Sequence, residues 1–356
     1  MQRSDPIAEG ARIFAICNAC RYCEGYCAVF PAMERRREFR EADLDYLANL
    51  CHHCAECYYA CQYAPPHEFA VNVPKVLAQV RLRGYQKHAW PPVFRSGGRM
   101  ALAALLLGLV AGLMLARNGS AGDFYAVIPH GVMVAVLGAV SILVIAALAI
   151  GLVRFVRSGP AFIGSGSGFY TAIRDVLTLK YLSSGGVGCT YPNEEHSSAR
   201  RWFHHCTFYG FVLCFASTSV AAVYHYGLNE RAPYPYFSLP VVLGALGGIG
   251  LLIGPAGLYR LKRRRDAAIA DSLQDRMEIT FLALLFATSL SGLLLLVFRG
   301  SLALRPLLVI HLAIVLALFV TLPYGKFVHG IYRAAALVRF AMEEHGGREA
   351  HGAGEG

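Results

Sequence analysis

Eight cysteines near the amino terminus stand where sulfur could share iron. Cys17, Cys20, Cys23 and Cys27 have the spacing C-x2-C-x2-C-x3-C, and Cys51, Cys54, Cys57 and Cys61 repeat it without deviation. This spacing lets a tight loop wrap three thiolates around one [4Fe–4S] cube while the fourth cysteine ligates a second cube. The reading assigns Cys17, Cys20, Cys23 and Cys61 to one cluster, and Cys51, Cys54, Cys57 and Cys27 to the other. Ala28 and Gln62 stand where the bacterial pattern has proline; proline shapes the turn but is no ligand. The competing reading is two four-cysteine zinc sites, but zinc knuckles use two cysteines each, and a third at the same spacing suits a cube better. His52, His53 and His67 lie close by in sequence and read as tuning or solvated groups.

Histidines form the second set. His130, His204, His205, His225, His311 and His329 fall within or at the edges of long apolar stretches, where ionisable side chains are costly and mark function by default. His311 and His329 are 18 residues apart, five full helical turns and roughly 27 Å along one face. His204 and His225 are 21 apart, within about 60° of each other. Two antiparallel helices can therefore offer one histidine each at two depths. His204 would meet His329, and His225 would meet His311, enough for one or two bis-histidine b-type haems. His205 competes with His204, and His130 with His225.

The elements that position these groups follow from composition. The chain of 356 residues is 56% apolar and 16% charged, with mean hydropathy +0.44; soluble domains carry about a quarter charged residues. Six charge-free windows stand out: Met100–Ala116, Phe124–Val153, Trp202–Asn229, Ala232–Tyr259, Ile279–Phe298 and Pro306–Gly325. Each is near the ~20 residues that a span requires. The expected fold is mainly α, an N-terminal α-helical ferredoxin-like module followed by a six-span transmembrane bundle. Its parts would be a cytoplasmic 2×[4Fe–4S] module over 1–95, a membrane domain over 96–340 and a flexible tail over 341–356. The spans fall at about 100–117, 128–153, 203–226, 237–259, 279–298 and 306–328.

Lys and Arg orient the bundle. The connections after the second and fourth spans hold twelve of them, against Arg117, Arg231, Arg299 and Arg305 on the other side. The positive-inside rule puts both termini in the cytoplasm of a multi-pass inner (cytoplasmic) membrane protein. The net charge of +10 then follows from topology and needs no nucleic acid. No signal peptide is visible, and in the cytoplasm clustered thiols favour metal over disulfides. Met33–Leu50 reads as one charged amphipathic helix, Pro91-Pro92 with Ser96-Gly97-Gly98 as a hinge, and Phe169–Leu182 as a helix on the inner membrane surface. Gly159-Pro160 and Gly164–Gly168 read as joint material.

The chain resembles the tricarballylate (citrate) utilization protein B family. The twin cysteine runs carry this, with Gly185-Gly186-Val187-Gly188-Cys189-Thr190-Tyr191-Pro192 and Arg200-Arg201-Trp202-Phe203-His204-His205. Ala232-Pro233-Tyr234-Pro235 and Gly254-Pro255-Ala256-Gly257-Leu258 add to it. The resemblance implies an electron-transfer partner for a cytoplasmic FAD-dependent tricarballylate dehydrogenase, passing electrons through Fe–S clusters and haem to membrane quinone. It implies that Cys17 to Cys61 receive electrons and that His204, His225, His311 and His329 hold haem. No Ser/His/Asp or zinc-hydrolase pattern suggests a catalyst standing alone. The alternatives are a six-span transporter or a redox sensor with a metal-binding cytoplasmic domain. Against a transporter, no inverted repeat and no intramembrane carboxylate is visible.

Overall fold

The computed structural model describes residues 5–92, 97–117, 122–159, 166–182 and 197–352, the side chains of 97, 166–167 and 346–352 apart. Gly185–Pro192 with Cys189, Ser96, Pro160 and Gly164-Ser165 therefore lie outside the described residues. Helix dominates, and among the described residues there is no strand.

The amino-terminal module starts with helix α1, Pro6–Cys20, where the Asp5 side chain accepts the Ile7 N–H (3.3 Å) and Pro6 opens the first turn. It stops at Arg21, which is left-handed (φ 56°) and donates its N–H back to the Cys17 carbonyl (2.8 Å). The expected single helix over Met33–Leu50 is two: α2, Val29–Glu34, and α3, Glu41–Leu50. Arg36 causes the break. It folds back onto the Ala32 carbonyl, pairs with Asp43 (2.9 Å) and reaches Glu343 (2.9 Å), partners that a continuous helix would not present together. Helix α4 is Glu56–Tyr59, and α5, Val73–His88, starts where Asn72 accepts the Lys75 N–H (3.1 Å). Phe14, Leu44, Leu47 and Leu77 are wholly buried between α1, α3 and α5, each contributing about 1.5–3 kcal/mol.

Next come α6, Gly97–Leu115; α7, Phe124–Val127; α8, His130–Ser158; α9, Gly166–Leu177; α10, Ala199–Gly227; and α11, Leu239–Arg263. Then follow α12, Ser272–Val297; α13, Leu304–Thr321; and α14, Val328–Gly352. Six stretches are long and apolar enough to cross a membrane: α6, α8, α10, α11, α12 and Leu304–His345. The last of these is not one straight helix. A 3-10 turn at Leu322–Tyr324 and an extended Gly325 separate α13 from α14. Pro323 has no N–H to continue the ladder, so the chain turns there. His311 and His329 consequently sit on different helices, and the five-turn argument for their shared face does not hold.

Helices α10 and α11 approach closely because glycine lines their contact. A Cβ at Gly254 would stand 2.3 Å from Thr207 Oγ1, and one at Gly247 would stand 2.8 Å from the Cys214 nitrogen. The amino-terminal core does not end at the membrane helices. It runs on into Phe155 of α8 and into Val328, Tyr332, Ala336, Leu337 and Phe340 of α14. The segment from 341, expected as a flexible tail, instead continues α14 to Gly352. Glu343 gives the reason, since it bonds Arg36 and the Tyr46 hydroxyl (3.3 Å) and so ties this turn to the amino-terminal module.

Candidate metal-cofactor sites

The two cysteine runs share a spacing but not a local structure. Cys17 and Cys20 lie on the last turns of α1, and the left-handed Arg21 swings the chain round to Cys23 and Cys27. Cys51 ends α3, and left-handed His53 (φ 58°) and Ala55 (φ 73°) fold the chain into α4, which carries Cys57. The folded chain gathers the sulfurs around two cavities. One, with about 790 Å³ of empty space including its open mouth, is lined by Cys17, Cys20, Cys23 and Cys61. The other, about 400 Å³, is lined by Cys27, Cys51, Cys54 and Cys57. Each contains three cysteines of one run and the fourth of the other. Cys57 also borders the first cavity, so the two share a wall.

The chemistry of this donor set favours an iron–sulfur cube. Burial, then the neighbouring Cys61, pushes the Cys17 and Cys23 thiols up to about 12. Burial, then Cys54, holds Cys27 and Cys57 well above the usual thiol value. Thiols held up in this way need a cationic core to become thiolates. Among the described residues no three His, Cys, Asp or Glu close on a point as a single ion would require. Donors to sulfur are in place, with the His53 N–H 3.4 Å from Cys51 Sγ and the Val29 N–H on Cys27.

His52 and His53 stay neutral, their values driven well below the usual imidazole range by burial and then by nearby arginines. The His52 Nδ1–H donates to the Leu50 carbonyl (2.8 Å), and the His53 Nε2–H to Ile269 (3.2 Å). His67 instead packs on Tyr63 and Phe69, beside the first cavity.

At the inner end of the bundle, His204 of α10 faces His329 of α14 with ring centroids 6.0 Å apart. Two imidazoles on opposite sides of one metal, each about 2.0 Å from it, place their centroids about 6 Å apart. His329 Nδ1 donates to the Lys326 carbonyl, leaving Nε2 bare, and His204 Nδ1 is buried without a partner. That second hydrogen bond is how metal-ligating histidines are usually oriented. The pair suits a haem iron. His205 points elsewhere, stacked on Tyr209.

The outer histidines are arranged differently from the expectation. His225 meets His130, ring centroids 4.1 Å apart, with Tyr125 and Tyr226 alongside. Rings this close leave no room for an iron between them. His311 meets Ser291 (2.9 Å) and the bare face of Gly292. The Ser291 hydroxyl gives its proton to the Ala287 carbonyl (2.7 Å), so it accepts from His311 Nδ1 and leaves Nε2 bare.

Sequence reading missed the groups that join the two sets. Arg81, Arg200 and Arg333 all donate to backbone carbonyls of residues 48–53, next to Cys51. The available signal was that Arg200 precedes His204 by four residues and Arg333 follows His329 by four, one helical turn in each case.

Residues 10–87 match the Citrate utilization protein B Fer4-like domain, and residues 92–351 match the Citrate utilization protein B family. Citrate utilization protein B of Escherichia coli is 49% identical over 365 residues, covering 99% of this chain and 96% of that protein. No solved structure matches the chain. The chain belongs to the citrate utilization protein B family, and its Fer4-like domain points to an iron–sulfur electron-transfer role.

Proposed function

From that membership, we propose that the protein is a membrane-bound electron carrier. It accepts electrons from a reduced cytoplasmic flavoprotein dehydrogenase of the tricarballylate or citrate utilization type, through two [4Fe–4S] clusters, and delivers them by b-type haem to the quinone pool. Residues 1–95 act as the cytoplasmic module, and both termini face the cytoplasm of the inner membrane. Cys17, Cys20, Cys23 and Cys61 hold one cluster, and Cys51, Cys54, Cys57 and Cys27 the other. His204 and His329 hold the inner haem. A second haem would draw on His311 with His225 or His130.

When bound, these groups supply single-electron transfer, and the chain's own residues set where and in what surroundings. The first thiolate set lines the roomier cavity, with exposed Tyr22 on its rim, as an external donor requires. The second lines a smaller cavity and is bonded through its loop to α10 and α14. Those helices bring His204 and His329 into register, with His329 oriented by the Lys326 carbonyl. Quinone is the fitting acceptor because the last donors lie among apolar helices, where a lipid-soluble molecule is at hand.

The observation that supports this most is the sorting of eight cysteines, three of one run with one of the other, around two adjoining cavities. The test is metal content. Anaerobically purified protein should carry about eight non-haem irons with matching sulfide, and one or two haems, per chain. Zinc, or no metal, in place of iron and sulfide would end the proposal.

A further inference from the structure

Three guanidiniums converge on one short stretch of backbone. Arg81 of α5, only 2% exposed, donates to Ala48 (2.8 Å) and Cys51 (2.7 Å). Arg333 of α14 donates to Asn49 (3.2 Å) and to the same Cys51 carbonyl (2.7 Å). Arg200, in the first turn of α10, donates to His53 (2.9 Å) and to His52. Among the described residues the hydrogen-bond partners of all three are carbonyl oxygens, and the buried carboxylate of this region, Glu278, is already shared by Lys262 and Lys326 (2.6 Å).

Gathering like charges away from water is costly without an anion to answer them. The second cysteine cavity begins at this loop. A cube held by four thiolates is anionic and becomes more so on reduction, so it is the anion that this cluster of cations lacks. Nearby positive charge favours the reduced form and raises the potential. The His53 N–H on Cys51 Sγ acts in the same direction. The first run differs. Arg21 is exposed and bonds the Asn18 carbonyl (3.1 Å), and Arg12 is already paired with Glu9 (2.6 Å).

Two of the three arginines ride on the helices that carry the inner histidines, one turn from His204 and from His329. We propose that Arg200 and Arg333 are positioning residues that hold the 49–53 backbone over the His204–His329 pair. Their charge also raises the potential of the second cluster above that of the first, so electrons run inward. This rests on the iron–sulfur and haem reading above.

The experiment uses the full chain in lipid nanodiscs, prepared anaerobically. Arg200→Gln, Arg333→Gln and Arg333→Lys are compared with the exposed control Arg83→Gln. Redox titration by electron paramagnetic resonance should show one cluster's midpoint falling in both glutamine variants while the other stays. Arg333→Lys should recover most of the shift, and Arg83→Gln should show none. Reduction of haem by pre-reduced clusters should slow roughly tenfold or more in the glutamine variants. Amide exchange over 48–54 should speed up in the same two.

Unchanged midpoints in both glutamine variants at full cofactor content would overturn the proposal. So would an equal fall in both clusters, the mark of general loosening. Arg200→Gln, at a half-buried helix start, carries the test if Arg333→Gln does not accumulate. Failure of the underlying reading has a different signature, wild-type protein without iron or haem. Exchange over 48–54 is then still read, and no change in it would show that the arginines do not hold the loop.

Discussion

The two cysteine runs have identical spacing and opposite surroundings. The first sits at the end of α1 beside an open cavity, with Tyr22 67% exposed on its rim. The second is folded under left-handed His53 and Ala55 around a smaller cavity, and held from three elements by Arg81, Arg200 and Arg333. A motif sets which atoms bind, whereas the tertiary neighbours set solvent access and charge, and these fix potential. On the proposed function, this difference would make the first site an entrance and the second a relay.

The strongest way to break this contrast is to remove ligands. Cys17→Ser and Cys51→Ser should each lose about half of the iron and sulfide. If the fourth cysteines cross over, Cys61→Ser should erase the same paramagnetic signal as Cys17→Ser, and Cys27→Ser the same as Cys51→Ser. The reverse matching would mean that each run closes its own cluster. Next in size is the haem proposed at His204 and His329. His329→Ala and His204→Ala should each remove one haem from the reduced-minus-oxidised spectrum with iron–sulfur content intact, and His205→Ala should remove none.

A smaller effect tests access directly. Ferricyanide in stopped flow should oxidise the exposed cluster roughly tenfold faster than the enclosed one; equal rates would remove the distinction between entrance and relay. Gly254→Ala drives a methyl into Thr207 and should cost about 1–3 kcal/mol. It would show as earlier haem release on heating, with the cluster signals unmoved. Smallest is Arg83→Ala, which breaks an exposed pair with Asp5 (2.6 Å). Its melting temperature should stay within about 2 °C of the wild type, because such pairs are worth ~0–1 kcal/mol.

Local features of this protein were legible in its residues. The cysteine spacing is written within eleven positions, and six charge-free windows coincide with six membrane-length helices because both follow from apolar composition. His204 and His329 meet, although the helical arithmetic behind their pairing assumed a continuity that Pro323 interrupts. What escaped was long-range. Arg333 finds Cys51 across 282 residues and Arg200 finds His53 across 147, with nothing in either neighbourhood naming the partner. The break between α2 and α3 escaped for the same reason, since the Glu343 that helps hold Arg36 lies 307 residues away. At the outer level, His225 turns to His130 because α8 begins there, a packing choice that periodicity along α10 does not encode.

The amino-terminal core is completed by Val328, Tyr332, Ala336, Leu337 and Phe340, and latched by Glu343. A ribosome makes those residues after the first five membrane-length helices, as part of the sixth such stretch. The module with the cysteines therefore waits, one face uncovered, while the five earlier helices are made. On the proposed function, iron and sulfide delivered at that stage would meet binding loops still loosely framed, and α14 would then close over a loaded head.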